Sequence, residues 1–253
     1  MASEFCGDFW QKDLTRFALC AILIAEFESE VSALRQADKK KRMAAIVERL
    51  KDVYPVPVCA LESGGDPWRL LVMGRLSAQC TDARVNIVCK DLFAKYPDAL
   101  SMAEANLADV EEIVRPCGLY HTKAQNIIDA SRMLIAEFGG EMPHEMDALL
   151  RFPGVGRKIA NLLRGDLFGL PAIVADTHCI RLCGRFGFYP TSEKDPTRVE
   201  KTLVSIVEPA EQSDLCHRLV MFGRDVCTAR APKCEGCPLQ DLCDMGVAWK
   251  KEK

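Results

Sequence analysis

The 253-residue chain has no run of about eighteen apolar residues free of charge, so no segment of it reads as a membrane-spanning helix. It also lacks the marks of a secretory leader. Glu4, Asp8 and Asp13 precede the first apolar run, the wrong charge sign for a leader, and no small-residue cleavage site follows. Internal repeats and low-complexity linkers are absent too. The chain therefore reads as cytoplasmic. With 49% hydrophobic residues it can bury a sizeable core, as one large domain or two small ones packed together.

A basic excess is missing as well: the formal net charge is -3, which taken alone argues against nucleic acid as a partner. The acidity is local, however. Residues 1–38 hold three Lys/Arg and seven Asp/Glu, which leaves 30 basic and 29 acidic residues in the rest of the chain. Between Arg218 and Lys233, four cations (Arg218, Arg224, Arg230, Lys233) stand against the single acid Asp225, so a positive patch is expected there. The run Lys39 to Arg42 sets off an N-terminal extension, residues 1–42, and Met43 could itself serve as a start. Within the extension, Phe17 to Ala25 suits one helix packed on the body or on a partner.

Apolar residues recur at helical spacing, as in Ala124, Ile127, Ile128, Leu134, Ile135 and Phe138, and the fold expected is all-α. Thr122 with Gln125 has the capping-box pattern, and Asp195 before Pro196 an N-cap with proline at the first helical position. Gly118, Gly139-Gly140 and Gly169 suit helix stops. Helices are expected at 40–52, 67–79, 82–95, 106–115, 122–138, 144–151, 157–168, 177–186, 195–208 and 211–225.

Cysteine, by contrast, is plentiful. Of thirteen, the nine from Cys6 to Cys216 are scattered through apolar or helical stretches and read as small buried hydrophobes in a reduced compartment. The last four, Cys227, Cys234, Cys237 and Cys243, are spaced C-x6-C-x2-C-x5-C and read as one metal site. Zinc modules commonly use two C-x2-C knuckles; only one is present, which favours an iron-sulfur cluster of cubane size over zinc. Four thiolates leave such a group no open position, so its role is structural. Arg230 and Lys233, on the arm between Cys227 and Cys234, suit phosphate contacts, or else are solvated surface charges.

The segment Pro153-Gly154-Val155-Gly156-Arg157, between two expected helices, permits a tight turn whose amides point outward at a helix N-terminus. Such a turn attracts an oxyanion such as a DNA phosphate, although a plain helix-helix turn fits as well. Lys158 follows in the first helical turn, where the dipole disfavours an ammonium and makes the amine more nucleophilic. Asp176 ends the apolar run Pro171 to Ala175 just before a helix, where it is either a catalytic carboxylate or simply an N-cap.

Taken together, Phe152 to Lys158 (FPGVGRK), Val174 to His178 (VADTH) and the cysteine loop resemble the endonuclease III family of helix-hairpin-helix DNA glycosylase/AP lyases. The resemblance runs from about Met43 to Cys243 and takes in Leu76 to Asp82 and Gly118 to Ala124. Phe152 stands where the family has leucine. The resemblance implies a six-helix barrel over 60–170 carrying the helix-hairpin-helix, and a second helical domain, 43–59 plus 171–247, carrying a 4Fe-4S cluster, with a DNA cleft between them and a tail at 248–253. It implies a bacterial enzyme of cytosol or nucleoid, acting as a monomer on double-stranded DNA with damaged bases, oxidised pyrimidines above all, or abasic sites. Lys158 would then be the nucleophile and Asp176 its partner carboxylate, while Gln79 and Leu119 fill the gap left by the extruded nucleotide.

Two other functions stand beside this one. A monofunctional, adenine-excising glycosylase would share hairpin and cluster, but it lacks a lysine at the position of Lys158 and needs a glutamate around Leu76 to Asp82, where none occurs. A non-catalytic iron-sulfur DNA-binding module or electron carrier would require neither Lys158 nor Asp176.

Overall fold

The computed structural model describes residues 34–251, and among them all regular structure is helical. The first helix, α1, covers 34–53. It is followed by α2 (Pro67–Leu76), α3 (Asp82–Lys95), α4 (Ala99–Ala103), α5 (Leu107–Val114) and α6 (Tyr120–Phe138). The chain continues through α7 (Met146–Leu150), α8 (Arg157–Phe168), α9 (Thr177–Arg185), α10 (Pro196–Val204), α11 (Gln212–Asp225) and α12 (Asp244–Lys251). No described helix is long and apolar enough to cross a membrane. Several starts are fixed locally: Asp66, Thr81, Asn106, Asp176 and Asp195 each accept a hydrogen bond from a first-turn amide, a cap worth about 1 kcal/mol apiece. Gly139 and Gly169 close α6 and α8 in the left-handed conformation that the stop signals called for.

The apolar faces gather into two cores. One holds Trp68, Val85, Met102, Val110, Ile127, Leu149 and Phe152, and is built by α2 through α8, seven helices of which α4 and α7 are single turns. The other joins Met43, Ile46 and Leu50 of α1 to Ile173, Leu182, Val199, Leu219 and Leu239. Leu162 of α8 packs against both, so α8 is the seam between them.

Several sequence expectations need correction. The run Lys39 to Arg42 is no boundary, because α1 passes through it unbroken. Upstream of Met43, Gln36 donates to Ser205, Lys39 to the Phe188 carbonyl, and Arg42 both bonds Asp244 (2.7 Å) and lies over the Phe188 ring. The helix suggested at Phe17 to Ala25 lies outside the described residues. Thr122 caps nothing: α6 starts two residues earlier, with left-handed Leu119 as its N-cap, and Gln125 bonds Asp129 instead. α4 and α12 were not expected, and α2 stops at Leu76 rather than 79.

Candidate active site

α7 and α8 flank the hairpin. Phe152 and Val155 anchor it by burying their side chains in the first core, and the Val155 amide closes the turn on the Phe152 carbonyl at 3.0 Å. Gly154 has φ 76° and no room for a side chain: a Cβ there would collide with the Arg75 guanidinium and the Asn126 amide. With its carbonyl turned toward Arg75, Asn126 accepts two bonds from that guanidinium at 2.9 Å, a braced floor beneath the turn. Gly156 is the N-cap of α8 and brings no capping side chain, and a Cβ there would meet nothing within 4 Å, so the start of α8 faces open space. A helix start in this condition attracts anions. Arg157 is otherwise engaged, its guanidinium gripping Glu200 of α10 with two hydrogen bonds.

Lys158 lines a cavity of about 70 Å³ at the seam of the two cores, and Asp176 lines the same cavity. The Asp176 carboxylate also caps α9, Oδ1 accepting from the Cys179 amide at 2.7 Å. The N-cap reading is realised, and the same residue reaches the cavity wall. Gly74, Ile159, Leu162 and Val174 give the cavity apolar walls, while Cys59, Ser77, Asp82 and His217 supply polar ones. Asp82 pairs with Arg224 of α11, bridging α3 to the second core. Beside Asp176, burial lowers the His178 imidazole from its ordinary value; the Asp176 carboxylate opposes this, and Arg181 and Arg224 reinforce it.

Gln79 and Leu119 are both exposed, and Lys123, which sequence reasoning passed over, ties their loops together. Lys123 is fully buried, and its ammonium donates at 2.8 Å to the carbonyl of Leu76, three residues before Gln79, and at 2.8 Å to that of Cys117, two residues before Leu119. Burial lowers the ammonium from its ordinary value. The signal available in the sequence was only a lysine on the apolar face of an amphipathic helix.

Cys227, Cys234, Cys237 and Cys243 line one small cavity walled by Phe186, Phe222 and Leu239. Arg185 of α9, also unremarked in the sequence, laces the loop down: it donates to Cys227 Sγ at 3.2 Å and to the carbonyls of Thr228 (2.7 Å) and Ala229 (2.8 Å), while the Cys243 thiol donates to its carbonyl. Four cysteines lining one apolar pocket, with no carboxylate among its lining residues, fit an iron-sulfur cluster. The expected cationic patch is smaller than the sequence suggested. Arg218 is buried, facing Asp214 and the Tyr54 carbonyl, and Arg224 is paired with Asp82. Arg230 and Lys233 remain exposed, with no ion pair among the described residues.

A braced hairpin at a helix start, a lysine and a carboxylate in one cavity, and a four-cysteine loop define a helix-hairpin-helix base-excision protein. In agreement, the family described as "HhH-GPD superfamily base excision DNA repair protein" matches residues 72–209, and "Iron-sulfur binding domain of endonuclease III" matches residues 227–243. Endonuclease III of Synechocystis sp. is 40% identical over 215 residues, 85% of this chain and 97% of that protein. A solved non-covalent endonuclease III–DNA complex superposes with a TM-score of 0.78 at 40% identity, covering 84% of this chain and 98% of the other. A trapped covalent endonuclease III–DNA intermediate gives 0.77 at 40%, covering 85% and 99%. The chain belongs to the endonuclease III family, whose activity is that of a bifunctional DNA glycosylase and AP lyase with a 4Fe-4S cluster.

Proposed function

We propose that Lys158 is the nucleophile and Asp176 its supporting carboxylate in excision of damaged bases, oxidised pyrimidines foremost, and in the strand cut that follows. The carrying observation is that both side chains line one cavity at the seam of the two cores. The hairpin amides of Gly154 and Gly156 and the exposed Arg230 and Lys233 hold phosphates, while Gln79 and Leu119 enter the gap left by the extruded nucleotide. Arg157 serves the fold more than the DNA, through Glu200.

In this reading the neutral Lys158 amine attacks the anomeric carbon as the glycosidic bond breaks, the base leaving with the bonding electron pair and taking a proton from solvent. Asp176 stabilises the positive charge growing on the sugar and takes the proton from the amine. Ring opening gives a Schiff base at Lys158. Loss of a proton from C2′ then expels the phosphate at C3′, cutting the strand on the 3′ side. Cys227, Cys234, Cys237 and Cys243 would hold the cluster, which supplies a rigid tie for the loop carrying Arg230 and Lys233.

The two cores support a division into 60–170 and 43–59 plus 171–247, with α1 belonging to the second unit from Gln36 onward. The substrate and the bacterial relatives support a bacterial cytoplasmic location. The decisive experiment is borohydride trapping on abasic-site duplex: the wild-type chain should cross-link and Lys158→Gln should not. Equal trapping by both would assign the nucleophile elsewhere.

A further inference from the structure

Three side chains from separate parts of the chain meet where the cavity adjoins α11. Cys59 comes from the segment before α2, Asp166 from α8 and His217 from α11, and a ligating atom of each lies within 4.8 Å of the other two. His217 Nε2 is 2.7 Å from Asp166 Oδ1, which also accepts from Ser213 Oγ at 3.3 Å. The side chains of His217 and Asp166 are only 14% and 12% exposed. Asp166 Oδ2 is buried and has no hydrogen-bond partner among the described residues. The helices are brought this close by Gly165, where a Cβ would collide with Ser213 Oγ.

A buried carboxylate oxygen that no N–H or O–H donor reaches is costly, and a group supplying positive charge suits the place. Hard cations such as Mg²⁺ prefer all-oxygen sites, whereas thiolate, imidazole and carboxylate together are a borderline-soft set. We propose that Cys59, Asp166 and His217 bind one divalent transition metal of the zinc class, and that the bound metal shuts the enzyme off. Three protein ligands leave a fourth tetrahedral position for water. On loading, the Cys59 thiol gives its proton to solvent, and the proton that His217 Nε2 shares with Asp166 leaves that atom, the neutral imidazole holding its one proton on Nδ1, so that Nε2 is free for the metal. The centre is then neutral, since thiolate and carboxylate balance the dication. It therefore acts by filling space rather than by repelling Lys158. All three ligands line a neighbouring cavity, and two of them, Cys59 and His217, also line the cavity of Lys158 and Asp176, so a metal with its water stands at the shared wall and narrows the room an extruded base needs. Binding stands on the geometry alone; the inhibition rests on the function proposed above.

The test uses cluster-loaded protein titrated with Co²⁺ and followed by electron paramagnetic resonance, iron being assayed in every sample. One high-spin cobalt per chain is expected, with a thiolate-to-cobalt charge-transfer band, at unchanged iron. Cys59→Ala should lose the band, and Asp166→Asn should weaken binding roughly tenfold or more. Cobalt binding as tight in Cys59→Ala as in wild type, or no binding at all, overturns the site. For each protein, nicking of abasic duplex with Zn²⁺ is divided by nicking without it. The ratio should collapse for wild type and stay near one for Cys59→Ala. Zinc that binds without lowering the wild-type ratio overturns the shut-off. A chain that nicks nothing even without zinc defeats the enzyme reading instead, and the cobalt result still decides the site.

Discussion

Gln79 and Leu119 share a backbone peculiarity: among the described residues they are the two non-glycine positions with positive φ, at 54° and 49°. A side chain in that conformation costs of order 1–3 kcal/mol, and such outliers tend to persist where a site needs them. Both residues lie in loops whose preceding carbonyls are held by the single buried ammonium of Lys123. The fold thus holds two strained, exposed side chains in fixed register, as a pair of wedges entering a duplex from one face would require.

This makes stability and activity move in opposite directions. Leu119 is 57% exposed, so replacing it removes little burial. Leu119→Gly, which enters the left-handed region freely, should melt no lower than Leu119→Ala, which keeps the strain. Both should excise damaged bases more slowly than wild type, and Gln79→Gly likewise. Wild-type excision rates in all three would show that the strain serves no step at the DNA.

Lys123→Met keeps the bulk but strips the donor, leaving the Leu76 and Cys117 carbonyls unsatisfied at about 1–3 kcal/mol each. Thermal stability should fall. Because the residue positions loops rather than reacting, KM for lesion duplex should rise by more than kcat falls, with iron content unchanged. A loss of stability alone, with KM intact, would mark Lys123 as purely architectural.

Truncation distinguishes α1 from what precedes it. A chain starting at Met43 lacks the bonds made by Gln36, Lys39 and Arg42, surface interactions worth up to about 1 kcal/mol each. At roughly 2–4 °C per kcal/mol, its melting temperature should drop by several degrees while strand cleavage survives. A chain starting at residue 34 keeps those bonds and should melt several degrees above the Met43 chain. Loss of cleavage by a folded Met43 chain would give the segment a catalytic part.

Neutralising Arg230 and Lys233 should weaken damaged and undamaged duplex about equally, and lower the slope of log affinity against log salt by about 0.9 for each phosphate that is no longer neutralised. Gel shifts over a range of salt concentrations measure this directly; an unchanged slope would detach the cysteine arm from the backbone.

Much of this was legible in the sequence because it is local. The bounds of α3 and α8 follow from Thr81, Gly156 and Gly169, all adjacent to the helices they delimit. The failures are of two kinds. α4 is five residues held by a reciprocal bond pair between Asp98 and Ser101, too short for periodicity to register. The other misses depend on distant partners: Arg218 is removed from the surface by Tyr54, 164 residues away, and Cys59 meets Asp166 and His217 only through the packing of α8 on α11. No motif spacing encodes either. Lys158 and Asp176 fall between these cases, each placed by a local helix start and brought into one cavity by the seam.

Those two should fail differently on substitution. Lys158→Gln removes the amine that the Schiff base requires, so borohydride trapping and strand cleavage should vanish, while DNA binding, which rests on the hairpin amides and surface cations, is largely kept. Asp176→Asn is the sharper test, because the carboxylate both caps α9 and lines the cavity. Asparagine caps a helix about as well as aspartate, so the bond to the Cys179 amide and the start of α9 should survive, with the melting temperature near wild type. What disappears is the negative charge facing the developing cation of the sugar. If that charge lowers the barrier by about 3–4 kcal/mol, as single preorganised electrostatic groups do, base excision in a single turnover should slow by about two to three orders of magnitude with binding intact. A near-wild-type excision rate in a well-folded Asp176→Asn would leave that residue with its cap alone and remove it from the chemistry.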